Sequence, residues 1–314
     1  MTHRTPWSAL PPNVVAAIEA ELGAPIVSVH PVSGGASPTL ACTVVLGDDT
    51  RHFVKAALTD PQDRVGIMLE REVRLVRQLP VTVPTPALEM EIVMACWRVA
   101  VFQHIHGQLV DDPARLFDLI DDLRAQLDPL RDLDVRTMRN GVPLQLFWAE
   151  HAHLGPTYAK LAELEAQWID VAEGDALVHF DLHDHNVIID PSDSAWVIDW
   201  ANAVIGAPEM EVAGVLPGIA ERFAIAPRDI WQASTVTRER DPRDFLPWFL
   251  AHAGNVVRQA VVNPNPRIDP KIDKARPWAE ILLAWSQELL GDAVRVPTLD
   301  EIARALAVNR ERTR

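Results

Sequence analysis

Residues 178–200, VHFDLHDHNVIIDPSDSAWVIDW, hold the side chains of this chain that are best suited to chemistry. Val187–Ile189 and residues 195–198 are apolar and rich in β-branched residues, and the run DPSDS lies between them. This pattern predicts a β-hairpin with a turn over DPSDS. The loop that enters the hairpin and the end of its second strand would then bring three oxygen-bearing side chains close together: Asp181, Asn186 and Asp199.

Two carboxylates and an amide oxygen suit magnesium-dependent phosphoryl transfer. One carboxylate accepts the proton of an attacking hydroxyl, while the amide and the second carboxylate hold hard cations on the phosphates. Asp181 precedes Asn186 by five residues, as in the catalytic loop of protein kinases, and Asp199 follows on the next strand. The sequence therefore predicts Asp181 as the catalytic base, with Asn186 and Asp199 as Mg²⁺ ligands.

The residues of this loop leave two other interpretations open. Alternating histidine and aspartate also begins the ligand sets of metallohydrolases, although His252 is the only histidine downstream that could complete an imidazole set. A polar loop before an ordinary hairpin is the simplest interpretation, and Asp199 at the end of the hairpin disfavours it. The metallohydrolase interpretation would use a cluster of five residues: His179, Asp181, His183, Asp184 and His185.

The same stretch resembles the aminoglycoside phosphotransferase and choline kinase-like family, whose signature is H-G-D-L-H-x-x-N followed by I-D-W or I-D-F. The corresponding runs here are HFDLHDHN at 179–186 and IDW at 198–200. The resemblance implies a protein-kinase-like fold of class α+β with two lobes. We expect a small antiparallel β lobe with one long helix over residues 1–103, which binds the nucleotide. A larger, mainly helical catalytic and substrate-binding lobe is expected over residues 104–314.

A glycine-rich turn lies between two predicted strands near the N-terminus, over residues 25–30 and 40–46. Because glycine has no Cβ, backbone N–H groups in such a turn can approach phosphates closely. The turn matches neither a P-loop nor a G-x-G-x-x-G motif, and glycine pairs also make ordinary hairpins. In a kinase-like lobe it would be a phosphate-binding flap made of five residues: Ser33, Gly34, Gly35, Ala36 and Ser37.

Lys55 lies in the next predicted strand, residues 52–57, within the apolar run FVKAA. A strand lysine commonly points outward to solvent, because side chains alternate between the two faces of a sheet. The family resemblance implies instead that Lys55 pairs with the α- and β-phosphates and with a glutamate on the following helix. An apolar stripe predicts that helix over residues 63–79. Glu72 matches the family's glutamate best, and Glu70 is the alternative.

Two further strands are predicted at 87–94 and 97–103, and the chain then enters a mostly helical remainder. The family resemblance places the hinge between the lobes here. Its backbone groups would hydrogen-bond the adenine edge while apolar side chains such as Val54 enclose the base. Clefts between lobes are common cofactor sites. The hinge residues expected to contact the nucleotide are Gln103, His104 and Ile105.

Apolar periodicity predicts helices through most of the second lobe. The family carries P-x-x-D-L-A after the catalytic loop, with its aspartate supporting that loop. Here the run PEMEVA has Glu211 at the aspartate's position, one methylene longer, so the detailed geometry of this support is open. The predicted helices cover residues 14–22 with Asn13 as the cap, and then 111–133, 143–150, 158–171, 228–262, 277–290 and 299–308.

Composition indicates a globular protein. Of 314 residues, 48% are hydrophobic, and no apolar run is long enough for a membrane helix. Two cysteines make a disulfide framework unexpected, and the N-terminus has no apolar signal-peptide core, so we expect a cytoplasmic protein. The formal net charge of −15 disfavours nucleic acid or anionic membranes as partners. Such a charge would attract a cationic acceptor, although an acidic surface also serves solubility alone.

These observations predict an ATP- or GTP-dependent, Mg²⁺-requiring O-phosphotransferase that modifies a hydroxyl of a small molecule. The favoured acceptor is an aminoglycoside-type or other natural-product antibiotic, in resistance or self-protection. A metabolic kinase of the choline, homoserine or sugar type is the alternative, because one fold serves many acceptors. A pseudokinase-like nucleotide-binding module is less favoured, because the catalytic Asp and Lys are both present. A monomer or a homodimer is expected.

Overall fold

The computed structural model describes residues 4–32, 38–128, 130, 133–142, 144, 146–262 and 272–312. The strands in chain order are β1 Ile26–Pro31, β2 Leu40–Leu46, β3 Arg51–Leu58, β4 Leu88–Met94, β5 Trp97–Gln103, β6 Gln108–Leu109, β7 Ala176–Val178, β8 Val187–Ile189, β9 Ala195–Val197 and β10 Val204–Gly206. The α-helices are α1 Pro12–Leu22, α2 Arg64–Val76, α3 Pro113–Leu127, α4 Met138–Gly141, α5 Phe147–Glu150, α6 Pro156–Glu165, α7 Trp168–Ala172, α8 Met210–Phe223, α9 Pro227–Ala233, α10 Leu246–Val257, α11 Ile272–Leu290 and α12 Leu299–Arg312.

The chain forms two compact units. The first contains Met1–Asp111, Asp132–Val135 and Asp184–Ala203, and the second contains Asp112–Arg131, Arg136–His183 and Val204–Arg314. The first unit therefore includes the β8–β9 hairpin in addition to the N-terminal sheet. The lobe boundary at residue 103 stays a prediction, since these units are defined by contacts within each of them.

A five-stranded antiparallel sheet with the order β1-β2-β3-β5-β4 forms the centre of the first unit. Helix α1 covers one face of this sheet, where Val14 and Ile18 are fully buried against Val44, Val54 and other apolar residues of β2, β3 and β5. Helix α2 packs on β3 and β5. Because neighbouring side chains of a strand point to opposite faces, Lys55 lies on the face opposite Val54.

The ends of the first two helices show how the local sequence sets their bounds. Asp63 directly precedes α2, and its carboxylate accepts the N–H of Val65 at 2.9 Å and so caps the first turn. The prediction that Asn13 caps α1 was wrong, because Pro12 starts the helix and no side chain caps it. Proline suits this position, since its ring fixes φ and the first-turn N–H needs no partner. Gly23 follows α1 at φ 79°, and the helix ends at Leu22, as predicted.

The second unit is mainly helical, with the two-stranded β7–β10 sheet beside its helices. The predicted helix over 158–171 is divided into α6 and α7, and the one over 111–133 ends earlier, at Leu127. Residues 228–262 were predicted as helix throughout but hold α9, a short 3-10 turn, α10 and a π-helical turn at 258–262. Helix α8 was not predicted.

The combination of an antiparallel sheet and many helices confirms the predicted α+β class. Among the described residues, no helix combines the length and the apolar character that crossing a membrane requires.

Candidate active site

Lys55 on β3 is held between two carboxylates. Its Nζ atom lies 2.8 Å from each carboxylate oxygen of Glu72 on α2 and 3.3 Å from Oδ1 of Asp199. The Glu72 side chain is 6% exposed and that of Lys55 is 15% exposed, whereas the Asp199 side chain is 41% exposed. The Lys55–Glu72 pair is therefore largely shielded from water, and Asp199 is the member of the group that solvent or a ligand can reach.

The electrostatic balance of this group keeps Lys55 charged. Burial disfavours its ammonium, but attraction by Asp199 and Glu72 outweighs burial and raises the pKa of Lys55 above its ordinary value. The backbone N–H of Trp200 also donates to Glu72. Glu70, the alternative partner, contacts Arg74 and Arg98 instead, at 3.1 and 3.3 Å. Of the two glutamates, Glu72 is the one that holds Lys55.

The β8–β9 hairpin positions Asn186 and Asp199 next to each other in the first unit. Val187 pairs with Val197, and the carbonyl of Asn186 accepts the N–H of Ile198 at 3.0 Å. Asn186 therefore lies beside the chain just before Asp199. Asp199 has a left-handed backbone, with φ 67° and ψ 59°, which non-glycine residues adopt rarely and often at functional sites.

The turn and the first strand of this hairpin are fixed by local contacts. The Asp190 carboxylate accepts the backbone N–H groups of Ser192 and Ser194 at 2.8 and 3.0 Å and the indole N–H of Trp196 at 3.0 Å. The hydroxyl of Ser192, which also donates to this carboxylate at 2.6 Å, and then these bonds lower the pKa of Asp190 to about 2. Strand β6 pairs with β8, and a Cβ on Gly107 would lie 2.3 Å from the carbonyl oxygen of Ile189. Glycine is therefore required at 107 for this close approach.

The side-chain oxygens of Asn186 and Asp199 are of the kinds that bind a magnesium ion. Mg²⁺ prefers oxygen ligands and is commonly held by one or two protein side chains, with phosphate oxygens and waters completing its shell. Asn186 offers an amide oxygen, and the half-exposed Asp199 offers a carboxylate beside the cationic Lys55. In the described part of the chain, no three His, Cys, Asp or Glu residues form a metal-ligand group.

The predicted hinge residues follow β5. The backbone N–H of Gln103 donates to the carbonyl of Ala87 at 2.8 Å, so Gln103 ends the sheet. Burial, followed by the nearby Arg51, lowers the pKa of His104. Ile105 is half-buried, and among the described residues its backbone has no hydrogen-bond partner. Five other residues predicted to contact the nucleotide lie outside the described residues: Ser33, Gly34, Gly35, Ala36 and Ser37.

Asp181 belongs to the second unit, on the loop that follows β7. Its backbone N–H donates to Nδ1 of the fully buried His179 at 3.3 Å, and its carbonyl accepts the N–H of His183 at 3.0 Å. Its Oδ1 atom lies 3.5 Å from Nε2 of His183. The histidines at 179 and 183 therefore contact the loop itself.

Glu211, at the start of α8, supports this loop. Its two carboxylate oxygens accept the backbone N–H groups of His179 at 2.8 Å and of Phe180 at 3.1 Å. Burial raises the pKa of Glu211 to about 7, although the two N–H donors and the guanidinium of Arg124 favour its charged form. The glutamate thus makes the supporting contacts expected for the family's aspartate.

Sequence reasoning did not identify three residues that contact or support the catalytic loop. Phe180 has φ 65°, and the only signal for it was a bulky residue where the family signature has glycine. Arg124 on α3 donates to the carbonyl of Leu177 at 2.7 Å, but its sequence position resembles an ordinary helix-surface charge. Trp248, 1% exposed on α10, is connected to the loop by no local sequence pattern.

Comparison with known proteins decides the family. The model of the phosphotransferase enzyme family matches residues 28–248, which is more than half of the chain. The chain belongs to this family. The family resemblance and the enzyme class predicted from the sequence, a phosphotransferase, are therefore confirmed. The metallohydrolase interpretation of the loop is set aside, because the same residues form part of the family match.

Solved structures show the fold of this phosphotransferase family member. An AMP-bound spectinomycin phosphotransferase, APH(9)-Ia, is 12% identical with a TM-score of 0.56, over 93% of this chain and 98% of that one. Choline kinase LicA from Streptococcus pneumoniae has 12% identity and a TM-score of 0.53, over 94% and 97%. These similarities confirm the predicted protein-kinase-like fold.

A third structure extends the comparison. A putative fructosamine-3-kinase from Haemophilus somnus 129PT is 12% identical with a TM-score of 0.52, over 88% of this chain and 96% of that one. No curated protein sequence matches this chain. At these identities, the solved structures bear on the fold alone.

Proposed function

We propose that this phosphotransferase moves the γ-phosphate of ATP, or of GTP, to a hydroxyl of a small molecule. The observation that supports the proposal most strongly is the group of Lys55, Glu72 and Asp199. A charged lysine held by a buried glutamate, beside a half-exposed aspartate, is the arrangement that positions nucleotide phosphates in kinase-like enzymes. The AMP bound in the spectinomycin phosphotransferase and in LicA is consistent with a nucleotide ligand.

In this proposal, the first unit binds the nucleotide. Lys55 contacts the α- and β-phosphates, and Glu72 keeps its ammonium in place. The backbone of Ile105, without a partner among the described residues, offers a donor and an acceptor to the edge of the purine. Mg²⁺, held through Asn186 and Asp199, would supply charge neutralisation on the transferred phosphate. Asn186 and Asp199 contribute the oxygen ligands that such a cation prefers.

Asp181 has the second role in the proposal. Its carboxylate orients the acceptor hydroxyl and takes its proton as the new P–O bond forms and the bond between the γ-phosphorus and the leaving nucleoside diphosphate breaks. Glu211 and His179 act on Asp181 through the backbone. Glu211 accepts the N–H groups of the two residues that precede Asp181, and Nδ1 of His179 accepts the N–H of Asp181. The loop geometry therefore supports a fixed base at position 181.

We propose a hydroxyl-bearing antibiotic of the aminoglycoside type, or a related natural product, as the acceptor, in resistance or self-protection. The spectinomycin phosphotransferase among the structural neighbours and the net charge of −15, which attracts cations, support this choice. A choline, homoserine or sugar acceptor is the second candidate, favoured by the choline kinase neighbour. In either case the enzyme would act in the cytoplasm as a monomer or homodimer, without a nucleic-acid or membrane partner.

The test is a nucleotide-consumption screen over hydroxyl acceptors of both classes with Mg²⁺ present, followed by comparison of wild type with Asp181→Asn. We expect the variant to bind ATP·Mg²⁺ with nearly unchanged affinity in calorimetry. Its turnover should fall by about 10²–10⁴-fold, because an amide accepts a hydrogen bond but cannot take up the proton.

Two outcomes would contradict the proposal. Wild-type turnover of a confirmed acceptor by Asp181→Asn would remove its role as base. Nucleotide binding without consumption for any acceptor in the screen would favour the pseudokinase-like alternative.

A further inference from the structure

Phe180 has an unusual backbone for a bulky residue. Its φ of 65° lies in the left-handed region, where a Cβ meets the neighbouring backbone and glycine is strongly favoured. Phe180 directly precedes Asp181, so its φ and ψ angles set the direction in which the chain presents Asp181. A residue that resists this conformation by itself must be held in it by its surroundings.

The backbone of Phe180 is held by helix α8. Glu211, in the first turn of α8, accepts the N–H of Phe180 at 3.1 Å and the N–H of His179 at 2.8 Å. Glu211 is 2% exposed, so water competes little for these bonds. These contacts fix the position of the peptide groups, but they do not involve the Phe180 ring.

The ring of Phe180 is held by a second set of contacts. It meets the ring of Trp248 edge-on, with centroids 5.6 Å apart and an interplanar angle of 67°. The Phe180 ring also lies close to Gly214 on α8, where an added Cβ would be 3.1 Å from Cε2 and 3.2 Å from Cδ2 of the ring. The absence of a side chain at 214 therefore makes room for the Phe180 ring against the helix.

Trp248 is hydrogen-bonded to α8 at a carbonyl that Pro217 leaves without its usual donor. Pro217 has no N–H, so the carbonyl of Ala213 lacks its usual partner within the helix. The indole N–H of Trp248, on α10, donates to this carbonyl at 3.3 Å. Trp248 is 1% exposed, and its ring position is set by a hydrogen bond to the same helix that holds the Phe180 backbone.

We propose that Phe180 is a positioning residue for phosphoryl transfer, clamped by Glu211 at its backbone and by Gly214 and Trp248 at its ring. The clamp holds the left-handed turn that orients Asp181 toward the acceptor hydroxyl. The inference rests on the proposed function of Asp181 as the base. It adds that the aromatic ring at 180, and not only the Glu211 contact, is needed for the rate of the chemical step.

A double-mutant cycle tests this clamp through its closest contact. Phe180→Gly relieves the backbone but removes the ring, and Gly214→Ala pushes the ring away. We expect each single variant to lower kcat by about 10- to 100-fold, the range that a small misplacement of a catalytic group produces. The KM for the nucleotide should stay at the wild-type value. In the Phe180→Gly background, Gly214→Ala should cause no further loss, because the ring it displaces is absent.

Two control variants separate positioning from general destabilisation. Gly218→Ala makes the same change on the same helix, but its Cβ would approach Trp278 at 3.3 Å and not Phe180. It should keep the wild-type kcat. Phe180→Tyr keeps the ring and should retain most of kcat. Thermal unfolding of every variant shows which of them are folded at the assay temperature.

Amide hydrogen exchange over residues 179–181 provides a readout that needs no acceptor. We expect faster exchange in Phe180→Gly and Gly214→Ala than in wild type and Gly218→Ala. Wild-type kcat in Phe180→Gly, or unchanged exchange in both clamp variants, would overturn the inference. If wild type phosphorylates no acceptor, the proposed function fails, and the exchange measurement still decides whether the clamp exists.

Discussion

At the scale of single residues, Lys55 is a strand lysine whose side chain is held by carboxylates and is largely shielded from solvent. The alternation of β3 left open whether Lys55 points to solvent. The structure instead places both oxygens of the buried Glu72 at 2.8 Å from its Nζ atom. Such a pair contributes little stability when its desolvation cost is included, so its value lies in holding the ammonium in one place.

This arrangement gives separate predictions for Lys55 and Asp199. Lys55→Ala should weaken ATP binding, and Asp199→Ala should abolish Mg²⁺-dependent turnover, because both side chains would face the charge of the phosphates. Calorimetry with ATP and an Mg²⁺ titration of turnover measure the two effects. Glu70→Ala is the matched control, since among the described residues Glu70 pairs with Arg74 and Arg98 and not with Lys55, and it should leave both quantities unchanged. Full activity in either test variant would remove that residue from the site.

Glu211 gives a prediction about loop support. Glu211→Asp keeps the charge and should be tolerated, whereas Glu211→Ala leaves the buried N–H of His179 and the partly buried N–H of Phe180 without an acceptor. We expect the alanine variant to lose roughly 1–3 kcal/mol of unfolding free energy per unsatisfied donor. Thermal and urea unfolding of both variants measure this loss. Equal stability of Glu211→Ala and wild type would show that the two hydrogen bonds contribute nothing.

At the scale of secondary structure elements, a second buried glutamate caps the start of a helix other than its own. Glu165, at the end of α6, is 0% exposed and accepts the N–H of Ala149 at 3.0 Å, with further backbone donors from Phe147 and Trp148. Its carboxylate thus caps the first turn of α5. Burial outweighs these donors and raises the pKa of Glu165 from 4.5 to about 7.

The raised pKa of Glu165 predicts a pH dependence of stability. Between pH 4.5 and 7 the folded state holds a proton that the unfolded state has released, so the unfolding free energy falls as pH rises through this range. The loss from this group reaches about 3 kcal/mol above pH 7. Glu165→Gln should therefore reduce the slope measured by urea unfolding from pH 4.5 to 8, and the remaining slope should include the contribution of Glu211, whose pKa is raised in the same way. Glu163→Gln, on the exposed side of α6, should keep the wild-type slope.

The elements also show what the sequence could and could not predict. Strands β2 and β5 matched their predicted bounds, because each is a mainly apolar run next to turn residues. Strands β6, β7 and β10 have two or three residues each, too few for a period to be visible. Helix α8 escaped prediction because Pro217 and its glycines argue against a helix when tertiary contacts are unknown. The hydrogen bond that Pro217 cannot donate to Ala213 is replaced by one from the indole N–H of Trp248, 35 residues further along the sequence.

The candidate site was predictable where a motif fixed the residue types. Asp181, Asn186 and Asp199 were predicted from residue types and spacing and Lys55 from the family resemblance, but the choice between Glu70 and Glu72 needed three-dimensional contacts. The conformation of Phe180 was not predictable, since it depends on Gly214 and Trp248, which no local pattern connects to the loop.

At the scale of the whole molecule, the charge is the property most relevant to the acceptor. The net charge of −15 raises the local concentration of cations around the protein. Salt screens this attraction, with a Debye length of about 10 Å at 0.1 M and about 3 Å at 1 M. A charge-driven contribution to acceptor binding should therefore depend on ionic strength.

This charge predicts different salt responses for two acceptor classes. The KM of a cationic aminoglycoside-type acceptor should rise as KCl increases from low to molar concentration, while that of a neutral hydroxyl acceptor should change little. Steady-state kinetics with both acceptors in the same salt series measure the difference. Parallel changes in the two KM values would show that surface charge does not select the acceptor.

Pro217 also has a consequence for the order in which the chain folds. The carbonyl of Ala213 finds its donor 35 residues later, on Trp248. Helix α8 therefore cannot complete its hydrogen bonding as an isolated segment, and contacts between distant residues form more slowly than local ones. During synthesis, this helix would leave the ribosome before its missing donor does. The support for the catalytic loop would then be complete only after Trp248 has been synthesised and has packed against this helix.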